Sequence, residues 1–168
     1  MIVIGVAPGL KALSYSVIDL APAIPVIIDK DVLLGPRIKE GLVDLVKKAY
    51  VHYLILDVVF ERELEPIGRD PRPKAVLAIG PACNPKEPVE HVSAVRLMLT
   101  TLTNKFKVPV VQVDEPELKR ALQPAPRESW LRVSNRLLSE PLDTDEHKIV
   151  MAVVVGLAGA ALYAERCP

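Results

Sequence analysis

Met1-Ile-Val-Ile-Gly-Val-Ala-Pro-Gly-Leu-Lys-Ala-Leu-Ser-Tyr-Ser-Val-Ile-Asp-Leu20 is the stretch whose reading decides the fold. It reads as a β-hairpin. An apolar run, residues 2–7, meets a Pro8-Gly9 turn, and a second run, residues 14–20, follows with the strand formers Tyr15, Val17 and Ile18. A third strand is expected over residues 24–29, bounded by Pro25 and by Asp29-Lys30-Asp31. Three successive strands predict an antiparallel meander.

Beyond the meander the periodicity changes. Pro36-Arg37 is a helix-start signal, and Ile38, Leu42, Leu45, Val46, Ala49 and Tyr50 follow at helical spacing. Tyr53-Leu-Ile-Leu-Asp-Val-Val-Phe60 is a continuous apolar run holding one acid, the pattern of a buried parallel strand. Six prolines break residues 61–88, within which residues 75–79 read as a short extra strand. Residues 89–106 return to helical spacing, and residues 108–113 form the fifth main strand.

Asp114 and Glu117 make a capping-box pattern for a short helix reaching Leu122. Residues 128–138 form another helix with Trp130, Val133 and Leu137 on one face. A last apolar helix follows, capped by Asp143 or Thr144. The order βββαβαβα predicts one α/β domain over residues 1–168, a mixed five-stranded sheet flanked by helices on both faces.

Composition narrows the class. Lys plus Arg and Asp plus Glu number 21 each, half of the 168 residues are hydrophobic, and the two cysteines, Cys83 and Cys167, match no metal spacing. A charge balance of zero argues against a strongly basic nucleic-acid binder but leaves room for a local patch. No cationic secretory signal opens the chain, so a reducing cytoplasm is expected. Few side-chain amides and 16 prolines point to a thermophilic source. The uncharged run at residues 149–164 falls short of the roughly 20 residues of a bilayer span, and a buried core helix with no membrane role is expected.

With that order in place, the chain resembles the RuvC-type Holliday-junction resolvases of the ribonuclease H-like superfamily. Ile4-Gly-Val-Ala-Pro-Gly9 is similar to the family's opening Gly-x-Asp-Pro-Gly, and Ser14-Tyr-Ser-Val-Ile18 to its second strand. Leu56-Asp-Val-Val-Phe60 sits where the family has a Glu. Val108-Pro-Val-Val-Gln-Val113 and Glu117-Leu-Lys-Arg120 look like the next strand and helix, and Asp145-Glu-His-Lys-Ile-Val-Met-Ala152 like the start of the last helix.

The resemblance implies two-metal phosphodiester hydrolysis, in which carboxylates hold two divalent ions roughly 3.5–4 Å apart. Carried over residue by residue, the four acids fall on Ala7, Asp57, Asp145 and Lys148. Ala7 has no ligand atom and Lys148 reverses the charge. Asp57 is one methylene shorter than the family's Glu, and Asp145 is compatible. Two of the four ligands are therefore missing. A salt bridge between Asp57 and Lys148 would replace the metal, since opposite charges at close range stabilise one another.

The functional expectation is a protein that has lost the nuclease centre and binds nucleic acid or a protein partner, with no cofactor. The alternative is a divergent endonuclease for branched or structured DNA or RNA, using Mg2+ or Mn2+ held by Asp57, Asp145, Glu146 or His147. Cations available to nucleic acid are Lys47, Lys48, Lys105, Lys107, Arg127, Arg132 and Arg136, although cations at helix C-termini are favoured by the dipole anyway. The resemblance also implies a homodimer. Ala152, Gly156 and either Gly159 or Ala160 form a small-residue stripe suited to close packing of the last helix on the sheet.

Overall fold

A computed structural model describes residues 1–9, 12–34, 41, 44, 75–81, 93, 97, 101 and 109–166. Five strands form one sheet: β1 (Ile2–Ala7), β2 (Ala12–Asp19), β3 (Val26–Leu34), β4 (Ala75–Ile79) and β5 (Val110–Gln112), in the order β3-β2-β1-β4-β5. β1 pairs antiparallel with β2 and parallel with β4, and β4 pairs parallel with β5. The hairpin and the meander both stand as expected, and the sheet is mixed and five-stranded.

β3 runs longer than its sequence suggests. Asp29-Lys30-Asp31, read as a terminator, lies in mid-strand. The charges are tolerated because β3 is an edge and each of the first two has a partner: Asp29 accepts from Tyr15 Oη at 3.2 Å, and Lys30 meets Asp143 at 2.9 Å.

The larger correction concerns β4. Both edges of β1 are taken, one by β2 and the other by residues 75–79, so the strand beside β1 is the one read as a short extra. A central strand is buried on both faces, and Ala-Val-Leu-Ala-Ile brings no charge into that position, whereas the 53–60 run carries Asp57. The 53–60 run lies outside the described residues, as do most of the helices expected over 38–50 and 89–106; positions 41, 44, 93, 97 and 101 within these last two are helical.

Three helices close the chain: α1 (Glu115–Leu122), α2 (Trp130–Leu137) and α3 (His147–Arg166). α1 has the expected capping box. Asp114 Oδ1 accepts from the Glu117 amide at 2.8 Å while the Asp114 amide donates to Glu117 Oε2 at 3.1 Å. Gln123, left-handed at φ 45, ends the helix. α2 starts two residues later than expected because Ser129 is its N-cap, and Trp130, Val133 and Leu137 pack into the core as a face. α3 begins at His147, past both expected caps: Asp143 is engaged with Lys30, and Thr144 Oγ1 accepts from the Glu146 amide at 3.1 Å.

α3 is the centre of one face of the molecule. It is long and apolar enough to cross a bilayer, yet here every residue from 150 to 160 is buried against β1, β2 and β4 and beneath α1 and α2. Close approach depends on glycine. A Cβ on Gly5 would collide with the Ala152 carbonyl oxygen and the Gly156 backbone, and one on Gly156 would stand 2.9 Å from Ile18 Cδ1. The small-residue stripe thus packs helix backbone onto strand backbone. On the opposite face Ile4, Val6, Leu13, Leu77 and Ile79 are buried, and helical Gly41 abuts the Leu33 side chain.

Candidate functional site

Ligands of sheets with parallel strands gather at the strands' C-terminal ends. Here those ends are Ala7 on β1, Gly80 just past β4 and Asp114 just past β5. Strand alternation turns Val3, Gly5 and Ala7 toward α3, with Ile4 and Val6 on the other face. Gly80 faces α3 as well, since a Cβ there would strike the Val155 side chain. Its amide donates to the Val6 carbonyl at 2.8 Å, which fixes positions 7 and 80 side by side.

The first turn of α3 closes over this pair. Ser14, the β2 residue in register with Ala7, donates from Oγ to the Lys148 carbonyl oxygen at 2.7 Å and lies 3.4 Å from the Ala7 carbonyl oxygen. One helical turn on, Ser16 Oγ donates to the Ala152 carbonyl oxygen at 3.0 Å. Both serines are buried, and a buried hydroxyl needs such a partner. Serines spaced by two on a strand therefore meet carbonyls spaced by four on a helix. Ala7 itself is 0% exposed.

The candidate side chains divide into three groups. Ala7, Gly80 and the Lys148 backbone converge, but two of these positions offer no ligand atom and the Lys148 side chain is exposed. Asp145 and Glu146, just before α3, and His147, its first residue, lie exposed. Asp57, Lys47, Lys48, Lys105 and Lys107 lie outside the described residues. Asp114, the acid at the end of β5, is spent on its capping box. Among the described residues no three His, Cys, Asp or Glu side chains come together as a metal site. The described donor set at the ends of β1 and β4 does not fit a pair of divalent ions.

Gly80 is the site position that sequence reading missed. Its signal is Ala-Val-Leu-Ala-Ile-Gly-Pro81, a charge-free run ending in a small residue and proline, much as β1 ends in Ala7-Pro8.

The described cations are largely engaged. Arg136 meets Glu128 at 3.4 Å, Arg120 meets Glu165 at 3.1 Å, and Lys119 and Arg166 meet Glu115 and Glu117 at 2.8 Å each. Arg132 and Arg127 are exposed, the latter at φ 67 in the turn closed by the Glu128 amide on the Ala125 carbonyl. The Glu128 carboxyl sits below its usual value, chiefly through the Ala125 amide and then through Arg136.

A sheet ordered 3-2-1-4-5 with an antiparallel meander and a helix across its centre is the ribonuclease H-like α/β fold. Within that class the fold is similar to that of RuvC. The structure of Thermus thermophilus RuvC matches with a TM-score of 0.63 and 18% identity, covering 99% of this chain and 96% of that one. T. thermophilus RuvC in complex with Holliday junction substrate matches with a TM-score of 0.61 and 19% identity over the same shares. No family model and no curated protein sequence matches the chain.

Proposed function

We propose that this chain is a RuvC-fold protein that has given up two-metal phosphodiester hydrolysis and serves as a non-catalytic module binding structured nucleic acid or a protein partner. Ala7 carries the proposal. It stands where the resemblance puts the central acid, and it is fully buried, beside Gly80 and beneath the first turn of α3. Hydrolysis through two ions needs carboxylates from separated elements, and the two adjacent strand ends supply none.

Branched nucleic acid is the ligand the fold favours, since a neighbour of this fold was solved with Holliday junction substrate. A cytoplasmic setting and a homodimer accompany that reading. Exposed Asp145, Glu146 and His147 favour a second one: with Asp57 they would form a divergent single-metal site using Mg2+ or Mn2+.

Gel-shift titration in EDTA with four-way, double-stranded and single-stranded DNA tests the first reading. Preferential retention of the four-way junction is expected of a junction binder. Absence of binding to all three would move the function to a protein partner.

A further inference from the structure

We infer that Asp29-Lys30-Asp31 closes the outer edge of β3 to a second copy of this chain, so that any homodimer joins through another surface. β3 ends the sheet, and among the described residues no strand pairs with its outer side. Val26, Ile28 and Leu34 on this strand are 37%, 51% and 62% exposed. An exposed edge with such apolar residues is a template for another strand unless something prevents the pairing.

The register places the three charges. Asp29, Lys30 and Asp31 pair with Val17, Ser16 and Tyr15 of β2, and the pairing continues without interruption to Leu34. Ser16 reaches the α3 backbone, so Lys30 lies on the α3 face. Tyr15 and Val17 belong to the cluster on the opposite face, where Asp29 and Asp31 therefore lie. Lys30 has an acid beside it, since its ammonium meets Asp143 at 2.9 Å. Asp29 accepts a hydrogen bond from Tyr15 Oη, and among the described residues no cation pairs with Asp29 or Asp31.

A closed dimer that extends the sheet would pair two β3 strands antiparallel about a two-fold axis normal to the sheet. Such an axis keeps every side chain on its own face. The aspartates of one copy can then stand opposite aspartates or apolar residues of the other, never opposite the lysine. A pairing centred on Lys30 sets each Asp29 against Asp31 of the second copy and the two lysines together. Centred on Asp29 or Asp31, it sets that carboxylate against its own copy. Like charges directly opposite destabilise a strand pair. Centred on Val32, the pairing faces Asp31 with Leu33 and Lys30 with Leu34, which strips water from charges without return. No residue at the ends of β1 and β4 takes part, so the inference stands or falls apart from the loss of nuclease chemistry.

Sedimentation equilibrium of three full-length proteins tests it: the wild type, Lys30→Val, and the double variant Lys30→Val with Asp31→Lys. The single variant keeps both aspartate–aspartate oppositions and is expected to retain the wild-type mass. It also controls for the lost contact with Asp143. The double variant turns both oppositions into pairs of opposite charge. Its mass is expected to at least double at submillimolar concentration, with slowed hydrogen exchange of the β3 amides. Circular dichroism confirms that both variants fold. A double variant of wild-type mass, or one that associates without protecting β3, would overturn the inference, because charge would not be what closes the edge. Association of Lys30→Val through β3, or wild-type β3 amides that lose protection on dilution, would overturn it as well, since the aspartates would then tolerate one another.

Discussion

Ser14 and Lys148, 134 residues apart, are joined by a 2.7 Å hydrogen bond from the Ser14 hydroxyl to the Lys148 carbonyl oxygen. The bond ties the second strand to the first turn of the last helix, and it lies over Ala7. With its companion from Ser16 to Ala152, it anchors the amino-terminal half of α3 at two successive turns.

Replacing Ser14 by Ala is expected to lower stability by about 1 kcal/mol, the net worth of one buried hydrogen bond, and Ser16→Ala by a similar amount. Urea unfolding of the two single variants and the double variant measures both values and their coupling. A larger loss is expected from Ser14→Val, because an added methyl group crowds the α3 backbone.

Gly5→Ala is expected to cost about 3 kcal/mol or more, since the new methyl would meet helix backbone that cannot rotate aside. Gly156→Ala should be milder, because its nearest obstacle is the end of the Ile18 side chain, with backbone no nearer than 3.4 Å. Thermal unfolding of the pair checks the ranking. An equal, small effect of both would contradict the backbone-on-backbone crossing.

Tyr15 gives a pH signature. Burial, then the Asp29 carboxylate, pushes its phenol from 10.0 to about 12. The folded chain therefore favours the neutral phenol. That contribution is complete below pH 10 and is lost as pH rises toward 12. Tyr15→Phe should flatten the fall in stability across that window, and stability curves for both proteins at pH 9, 10 and 11 measure the difference.

Arg127 adopts a left-handed backbone that L side chains enter at a cost of about 1 kcal/mol. Part of that returns when glycine is substituted, after its own entropy loss, so Arg127→Gly is expected to leave stability unchanged or raise it by about 0.5 kcal/mol. Arg127→Ile should lower it by about 1 kcal/mol, because a β-branched residue fits that region worst. Melting temperatures of the two variants decide.

Restoring a carboxylate to the central strand tests the closure of the site. Ala7→Asp places an acid where the native residue is 0% exposed, and a loss of about 3 kcal/mol or more is expected. Mg2+ or Mn2+ should not recover that loss, because Gly80 brings no second carboxylate. Recovery of stability by millimolar metal would show that enough ligands remain nearby to hold an ion.

Much of this architecture was legible because its signals are local. The Pro8-Gly9 turn, the Asp114–Glu117 box and the 3.6-residue spacing of Trp130, Val133 and Leu137 each involve residues a few positions apart. The choice of the strand beside β1 was not local. Residues 53–60 read as a buried strand and 75–79 as a short extra one, and only long-range pairing with Ile2–Val6 shows that 75–79 lies beside β1. For the same reason the resemblance placed the second acid on Asp57 while the structure sets Gly80 beside Ala7. The extent of β3 was hidden too, because its charges find partners, Tyr15 and Asp143, that lie far away in sequence.

The central claim is that the ends of β1 and β4 no longer support phosphodiester hydrolysis. Incubating the purified chain with labelled four-way junctions in Mg2+ and in Mn2+, and resolving the strands on a denaturing gel, tests it most directly. The expected result is intact junction strands at every metal concentration, matching the Ser14→Ala variant and a protein-free control. Metal-dependent cleavage by the wild-type chain that disappears in Asp57→Asn would contradict the account and establish the divergent nuclease instead.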